Sequence, residues 1–121
     1  MSSYKELEIY KLAYDLAIKV HKASLKLPQF ELYEQGSQIR RSTKSIRDNI
    51  AEGFGRRRYK AEFIRYLIYA QASCDEANNQ ATSIIELYPN ISEFMGIPND
   101  LDILGRKINN FIRYVESDWR T

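Results

Sequence analysis

The sequence predicts a single all-α domain over residues 1–121, four helices in an up-down-up-down, left-handed bundle. Three observations predict it. Apolar residues recur at alternating four- and three-residue steps in four separate stretches, the spacing of one helical face. The connections between the last three stretches are short, which makes successive helices antiparallel neighbours. Glycine (5) and proline (3) are scarce among 121 residues, which argues against an all-β chain punctuated by turns.

The first helix is expected from about Lys5 to Lys26. Ile9, Ala13, Leu16, Val20, Ala23 and Leu27 form one stripe, and Pro28 ends the helix by disfavouring α conformation in the residue before it. A second, more aromatic stripe of Leu7, Tyr10, Tyr14, Ala17 and His21 exceeds what one bundle seam requires. The second helix starts between Tyr33 and Gln38, with an inward face of Ile39, Thr43, Ile46, Ile50 and Phe54. Gly53 and Gly55 are its expected stop, because glycine readily takes the left-handed conformation of a C-terminal cap. After the short connection Arg56 to Tyr59, a third helix carries Phe63, Leu67, Ala70, Cys74, Ala77, Ala81, Ile84 and Tyr88, and Pro89 closes it. Small residues at the middle of that seam allow a close approach. In the loop from Asn90 to Pro98, Phe94, Met95 and Ile97 are expected to cover one end of the core. The fourth helix takes Asn99 or Asp100 as N-cap, and its seam reads Leu101, Leu104, Ile108, Phe111 and Val115, ending near Trp119.

Catalytic chemistry finds little to work with. His21, the one histidine, lies on an apolar-aromatic stripe, and the one cysteine, Cys74, lies on the third seam, where a free thiol behaves as a small hydrophobe. One histidine and one cysteine make neither a usual zinc site nor a disulfide framework, and no Glu-x-x-His pair suggests a di-iron bundle. The expectation is a protein that is no enzyme and has no metal or cofactor. No apolar run approaches the ~18 residues of a membrane span and no signal-peptide core is visible. A cytoplasmic location without membrane contact is expected.

The informative segment runs from Gln38 to Lys60. It holds eight basic residues against Asp48 and Glu52, a local charge of +6 in a chain whose net charge is +2, so the remainder carries −4. Separated charge of this kind creates a positive field that the overall balance understates. At about 100° per residue, Arg40, Lys44 and Arg47 share one flank of the second helix, and Arg41 falls on another near Asp48 and Glu52. Arg56, Arg57 and Arg58 occupy the turn, where cations also suit the negative end of the helix dipole. These seven are the candidate nucleic-acid-binding residues; Tyr59, Tyr66 and Tyr69 nearby could stack on bases, although tyrosines at helical spacing are more often core or interface residues. Asn49, Glu52, Ser73 and Glu76 flank the seams of the second and third helices. They are expected to form a structural polar network, its carboxylates finding Arg41 or a turn arginine, since unpaired burial is costly.

Gln38-Ile39-Arg40-Arg41, Ser45-Ile46 and Asn49-Ile50-Ala51-Glu52-Gly53 resemble the signature of the four-helix-bundle proteins encoded in 23S rRNA intervening sequences. The resemblance extends over nearly the whole chain: Glu8-Ile9-Tyr10 with Ala13, Leu27-Pro28 with Glu31 and Tyr33, and Ala70, Ser73 and Glu76 resemble the family's other segments. Arg47 departs from the pattern, standing where many members have proline, so the second helix continues unkinked and gains a charge. The resemblance implies an up-down bundle assembled into a homopentameric ring. It also implies likeness in fold to the accessory protein of diversity-generating retroelements, which binds nucleic acid and a reverse transcriptase.

Two functions are expected from these features. The first is an oligomeric protein binding nucleic acid, RNA preferred over DNA on the resemblance alone, with each weak patch multiplied by the number of subunits. The second is a scaffold docking a partner protein through the same basic stripe, which the nine tyrosines fit equally well. A third reading has the basic charges paired with carboxylates of neighbouring helices or subunits.

Overall fold

A computed structural model of the chain describes residues 2–120. Its four long helices are α1 (Glu8–Ser24), α2 (Gln35–Gly55), α3 (Lys60–Leu87) and α4 (Ile97–Asp118). Each packs on its neighbours in sequence, and α4 closes the bundle against α1 through the thinnest of the four contacts. The up-down arrangement is fixed by partners far apart in sequence, with Lys107 and Lys19 of α4 and α1 meeting Glu8 and Asp100 across the α1–α4 seam.

The core follows the stripes. Ile9, Ala13, Leu16, Val20, Ala23 and Leu27 are buried, as are Ile39, Thr43, Ile46, Ile50 and Phe54 on α2. On α3 the whole run from Phe63 to Ile84 is buried, with Ala70, Cys74, Ala77 and Ala81 at its middle. There the helices come close: the Cys74 thiol donates to the Leu101 carbonyl at 3.2 Å, and a Cβ on Gly105 would lie 3.6 Å from Cys74 Sγ.

Several helix ends differ from expectation, each for a local reason. α1 begins at Glu8 rather than Lys5. Ser3 and Glu6 form a capping box around a 3-10 turn, Tyr4–Glu6, and Leu7 then takes an extended conformation that buries its side chain. The α1–α2 connection contains a single helical turn, Gln29–Leu32, which packs directly on α2 because Gly36 has no side chain; a Cβ there would meet the Glu31 carbonyl at 3.2 Å. Gly53 and Gly55 do not form a left-handed cap, and no glycine among the described residues has positive φ. Gly53 serves close approach instead: a Cβ would stand 3.0 Å from Tyr66 Cβ and 3.3 Å from the Phe63 carbonyl. α2 ends by tightening, with the Arg56 N–H donating to the Gly53 carbonyl and the Arg57 guanidinium to the Phe54 carbonyl.

α4 starts three or four residues early, with Gly96 as N-cap and Pro98 in the first turn, where a missing N–H costs nothing. Asp100 is therefore free to pair with Lys19 at 2.7 Å. Phe94 in the preceding loop and Ile97 at the head of α4 cover the core end as expected, joined by Ile91, but Met95 points outward at 56% exposure. On α4, Ile112 takes the buried seam position. Phe111 is half-buried, set in an aromatic cluster with Phe63 and Trp119.

Candidate functional site

α2 buries Ile39, Ile46 and Ile50 and turns its charged side outward, between His21 of α1 and Tyr66 of α3. The result is an open trough of about 670 Å3 running along the helix. Four cations line it (Arg40, Arg41, Lys44 and Arg56) against two carboxylates (Asp48 and Glu52), leaving +2 with His21 neutral. The trough is thus less positive than the sequence segment from which it comes.

The seven basic residues divide by what they touch. Arg40 is half-buried and works as a pin: its guanidinium donates to Ser24 Oγ at 2.9 Å and to the Leu32 carbonyl at 2.8 Å, tying α1 and the helical turn to α2. Ser24 is fully buried, and its hydroxyl donates a hydrogen bond to the His21 carbonyl at 2.7 Å. Arg47 lies over the Tyr14 ring at 4.9 Å and 3.5 Å from Asp48. Arg56 pairs with Glu52 at 3.1 Å and Glu62 at 3.4 Å and stacks over Tyr66, and the Glu52 hydrogen bond holds its pKa above the usual arginine value. Arg57 sits 4.0 Å above the Phe54 ring while its Nη1 donates to the Phe54 carbonyl. Arg41, Lys44 and Arg58 are exposed, and no carboxylate among the described residues pairs with them. Tyr66 meets Tyr69 edge-to-face at 5.4 Å, and Tyr59 stands exposed in the turn.

Of the four residues placed in a polar network, the structure joins two. Ser45 is their hub: its hydroxyl meets Ser73 Oγ at 2.9 Å and receives Asn49 Nδ2 at 3.0 Å, bonding α2 to α3. One turn away the buried Ser42 hydroxyl donates to Gln80 Oε1 at 2.7 Å, lengthening the same polar seam. Glu52 lies outside that pair and bonds to Arg56, one of the turn arginines expected for it, whereas Glu76 is exposed on α3 with no ion pair among the described residues. The carboxylate that is buried is Glu31, which accepts from Tyr88 Oη at 2.8 Å and Gln35 Nε2 at 2.9 Å. That hydrogen bond, more than burial, raises the Tyr88 pKa.

The sequence pattern does not mark Ser24 or Ser42; it gives Ser45 only as part of the family signature and Trp119 only as the end of the fourth helix, and assigns no site role to the Trp119–Arg120 segment beside the α2–α3 turn. Gly55, Arg57, Arg58, Trp119 and Arg120 surround a depression of about 370 Å3 there. The serines gave a weak signal, a hydroxyl at the margin of an apolar stripe. His21 is exposed and borders the trough, so its place on an aromatic stripe did not bury it. Burial pushes the Cys74 thiol up to about 12, leaving almost no thiolate at neutral pH to act as a nucleophile. Among the described residues no three His, Cys, Asp or Glu side chains gather to hold a metal ion, and no helix is long and apolar enough to cross a membrane.

A family model described as "23S rRNA-intervening sequence protein" matches residues 5–110. Among solved structures the chain is similar to a protein of unknown function from the S23 ribosomal protein family of Bacteroides thetaiotaomicron VPI-5482. The two are 22% identical with a TM-score of 0.73, over 87% of this chain and 98% of that one. No curated protein matches.

Proposed function

The chain belongs to the 23S rRNA-intervening sequence protein family, and from that premise we propose that it is a non-catalytic, oligomeric helical bundle that binds nucleic acid, RNA in preference to DNA, through α2 and the turn after it. One observation carries the reading. Of the seven basic residues there, only Arg47 and Arg56 have a carboxylate within salt-bridge distance among the described residues, so five keep uncompensated charge. Arg41, Lys44 and Arg58 supply phosphate contacts from exposed positions, and such contacts give affinity without sequence preference. Arg40 and Arg57, held by carbonyl and hydroxyl oxygens, add field more than reach.

Assembly supplies the avidity that one net-+2 trough lacks. Five copies is the number the family resemblance implies. The exposed apolar side chains of Leu25, Phe30 and Tyr33, crowded around the α1–α2 connection, support burial against another copy of the chain. The same three side chains favour the second reading, a scaffold that docks a partner protein and touches no nucleic acid. Fluorescence anisotropy with labelled RNA and DNA oligonucleotides separates the two. The nucleic-acid reading expects binding that Arg41→Ala, Lys44→Ala and Arg58→Ala together weaken at least tenfold, and indifference to that triple change would sink it. A light-scattering mass of one 14.2 kDa chain at micromolar concentration would remove the oligomer.

A further inference from the structure

The trough on α2 mixes signs, whereas the depression at the end of the bundle does not. Three guanidiniums (Arg57, Arg58 and Arg120) and one indole (Trp119) surround it, and among the described residues no carboxylate side chain lines it. Its volume of about 370 Å3 lies at the small end of the roughly 300–1,000 Å3 of ligand pockets. Its two central groups are held before any ligand arrives. Trp119 meets Phe63 edge-to-face at 5.1 Å, and Phe54, Phe111 and Tyr114 at 6.2–6.4 Å, so its ring cannot turn without disturbing the core end. Arg57 is fixed by the Phe54 carbonyl at 3.0 Å and the ring beneath it at 4.0 Å. Arg58 and Arg120 are exposed on the rim.

We propose that this depression is a subsite for an unpaired base of a single-stranded nucleic acid, the base lying against Trp119 and the flanking phosphates against Arg58 and Arg120. The inference rests on the nucleic-acid reading above and narrows it. A plain polyanion would use the arginines and leave the indole idle; a nucleotide uses both. Duplex bases are already stacked on one another and present only edges in the grooves, so a paired strand reaches the arginines but not the ring. Pre-ordered aromatic and cationic groups keep the ordering cost of binding low.

The chain has one tryptophan, so selectively excited tryptophan emission reports this subsite and no other. Octauridylate and a blunt RNA duplex of equal phosphate count are titrated into the full chain, with anisotropy of a labelled strand read in parallel. The expected result is quenching by octauridylate that saturates together with anisotropy, little quenching by the duplex, and single-strand affinity roughly tenfold or more weaker in Arg58→Ala/Arg120→Ala, in line with the loss of one held nucleotide. Both replaced side chains are exposed, so the fold survives. Octauridylate binding that leaves tryptophan emission unchanged overturns the subsite and spares the broader reading, as does quenching by the duplex equal to that by the strand. Quenching by polyglutamate of similar length and affinity reassigns the site to an acidic peptide. Absence of anisotropy change with strand and duplex alike removes the broader reading and this one with it.

Discussion

Two glycines two residues apart on α2 should respond to alanine with opposite signs. Both have ordinary helical φ, so alanine brings the same intrinsic gain, about 0.8–1.0 kcal/mol in a helix interior and about half that in a last turn. What differs is the space. At Gly53 a new Cβ lies 3.0 Å from Tyr66 Cβ and 3.3 Å from both the Phe63 ring and its carbonyl. Two of those three atoms belong to the α3 backbone or sit directly on it, so relief requires the helices to part by a few tenths of an ångström. Overpacking of this kind costs about 1–3 kcal/mol, and Gly53→Ala should lose about 1 kcal/mol net. At Gly55 nothing lies within 4 Å, and Gly55→Ala should gain about 0.5 kcal/mol. Urea unfolding followed by circular dichroism, at one fixed protein concentration because an oligomer's stability depends on it, measures both. In thermal terms the pair should separate by roughly 5–8 °C. Had Gly55 been the left-handed cap that its sequence position suggested, alanine would cost about 1–2 kcal/mol there. A destabilised Gly55→Ala, or a Gly53→Ala more stable than the parent, would refute the close-packing account.

The remaining predictions follow from single contacts. Arg40→Ala should lower stability by about 1–3 kcal/mol in denaturant melts, because it removes charge-assisted bonds to Ser24 and Leu32; a neutral result would show that the pin holds nothing. Tyr88→Phe should cost about 1–2 kcal/mol, since it leaves buried Glu31 with Gln35 alone; unchanged stability would contradict that. Cys74 should resist thiol reagents in the native protein and react once unfolded. Its folded pKa of about 12 stands above the ordinary 9.0, so its stabilising effect is complete below pH 9 and is lost as pH rises toward 12, by up to about 1.4 kcal/mol per unit. Comparison with Cys74→Ala isolates that loss from the tyrosines that also titrate there, and identical pH profiles would disprove it.

Much of the fold was legible because bundle helices declare themselves by a period, and the stripes it selects from Ile9 to Leu27, Ile39 to Phe54 and Phe63 to Ile84 are buried, with Ser24 and Ser42 buried beside them. The helix ends were less so. Leu7 leaves the helix because a capping box precedes it, and Gly96 caps α4 because Pro98 suits a first turn; both depend on backbone bonds that spacing does not reveal. Phe111 and Ile112 are adjacent apolar residues, and the choice between them for the seam is made by Trp119, which draws Phe111 into the aromatic cluster. For the site, the basic segment and its flanks were visible. The division of labour within it was not, because Arg40 and Arg57 are occupied by carbonyls of other turns and Ser45 becomes a hub only when Ser73 arrives from α3.

The salt dependence of RNA binding tests phosphate contact by α2 and its turn most directly. Each phosphate contact to a single strand contributes about −0.7 to the slope of log affinity against log salt. Anisotropy titrations of one RNA oligonucleotide across a salt series, for the parent chain and for the chain carrying Arg41→Ala, Lys44→Ala and Arg58→Ala, give that slope. Salt dependence should be steep in the parent and the slope shallower by about 2 in the variant, three contacts' worth. A flat response in the parent, or the same slope and affinity in both proteins, would contradict phosphate contact by α2 and its turn.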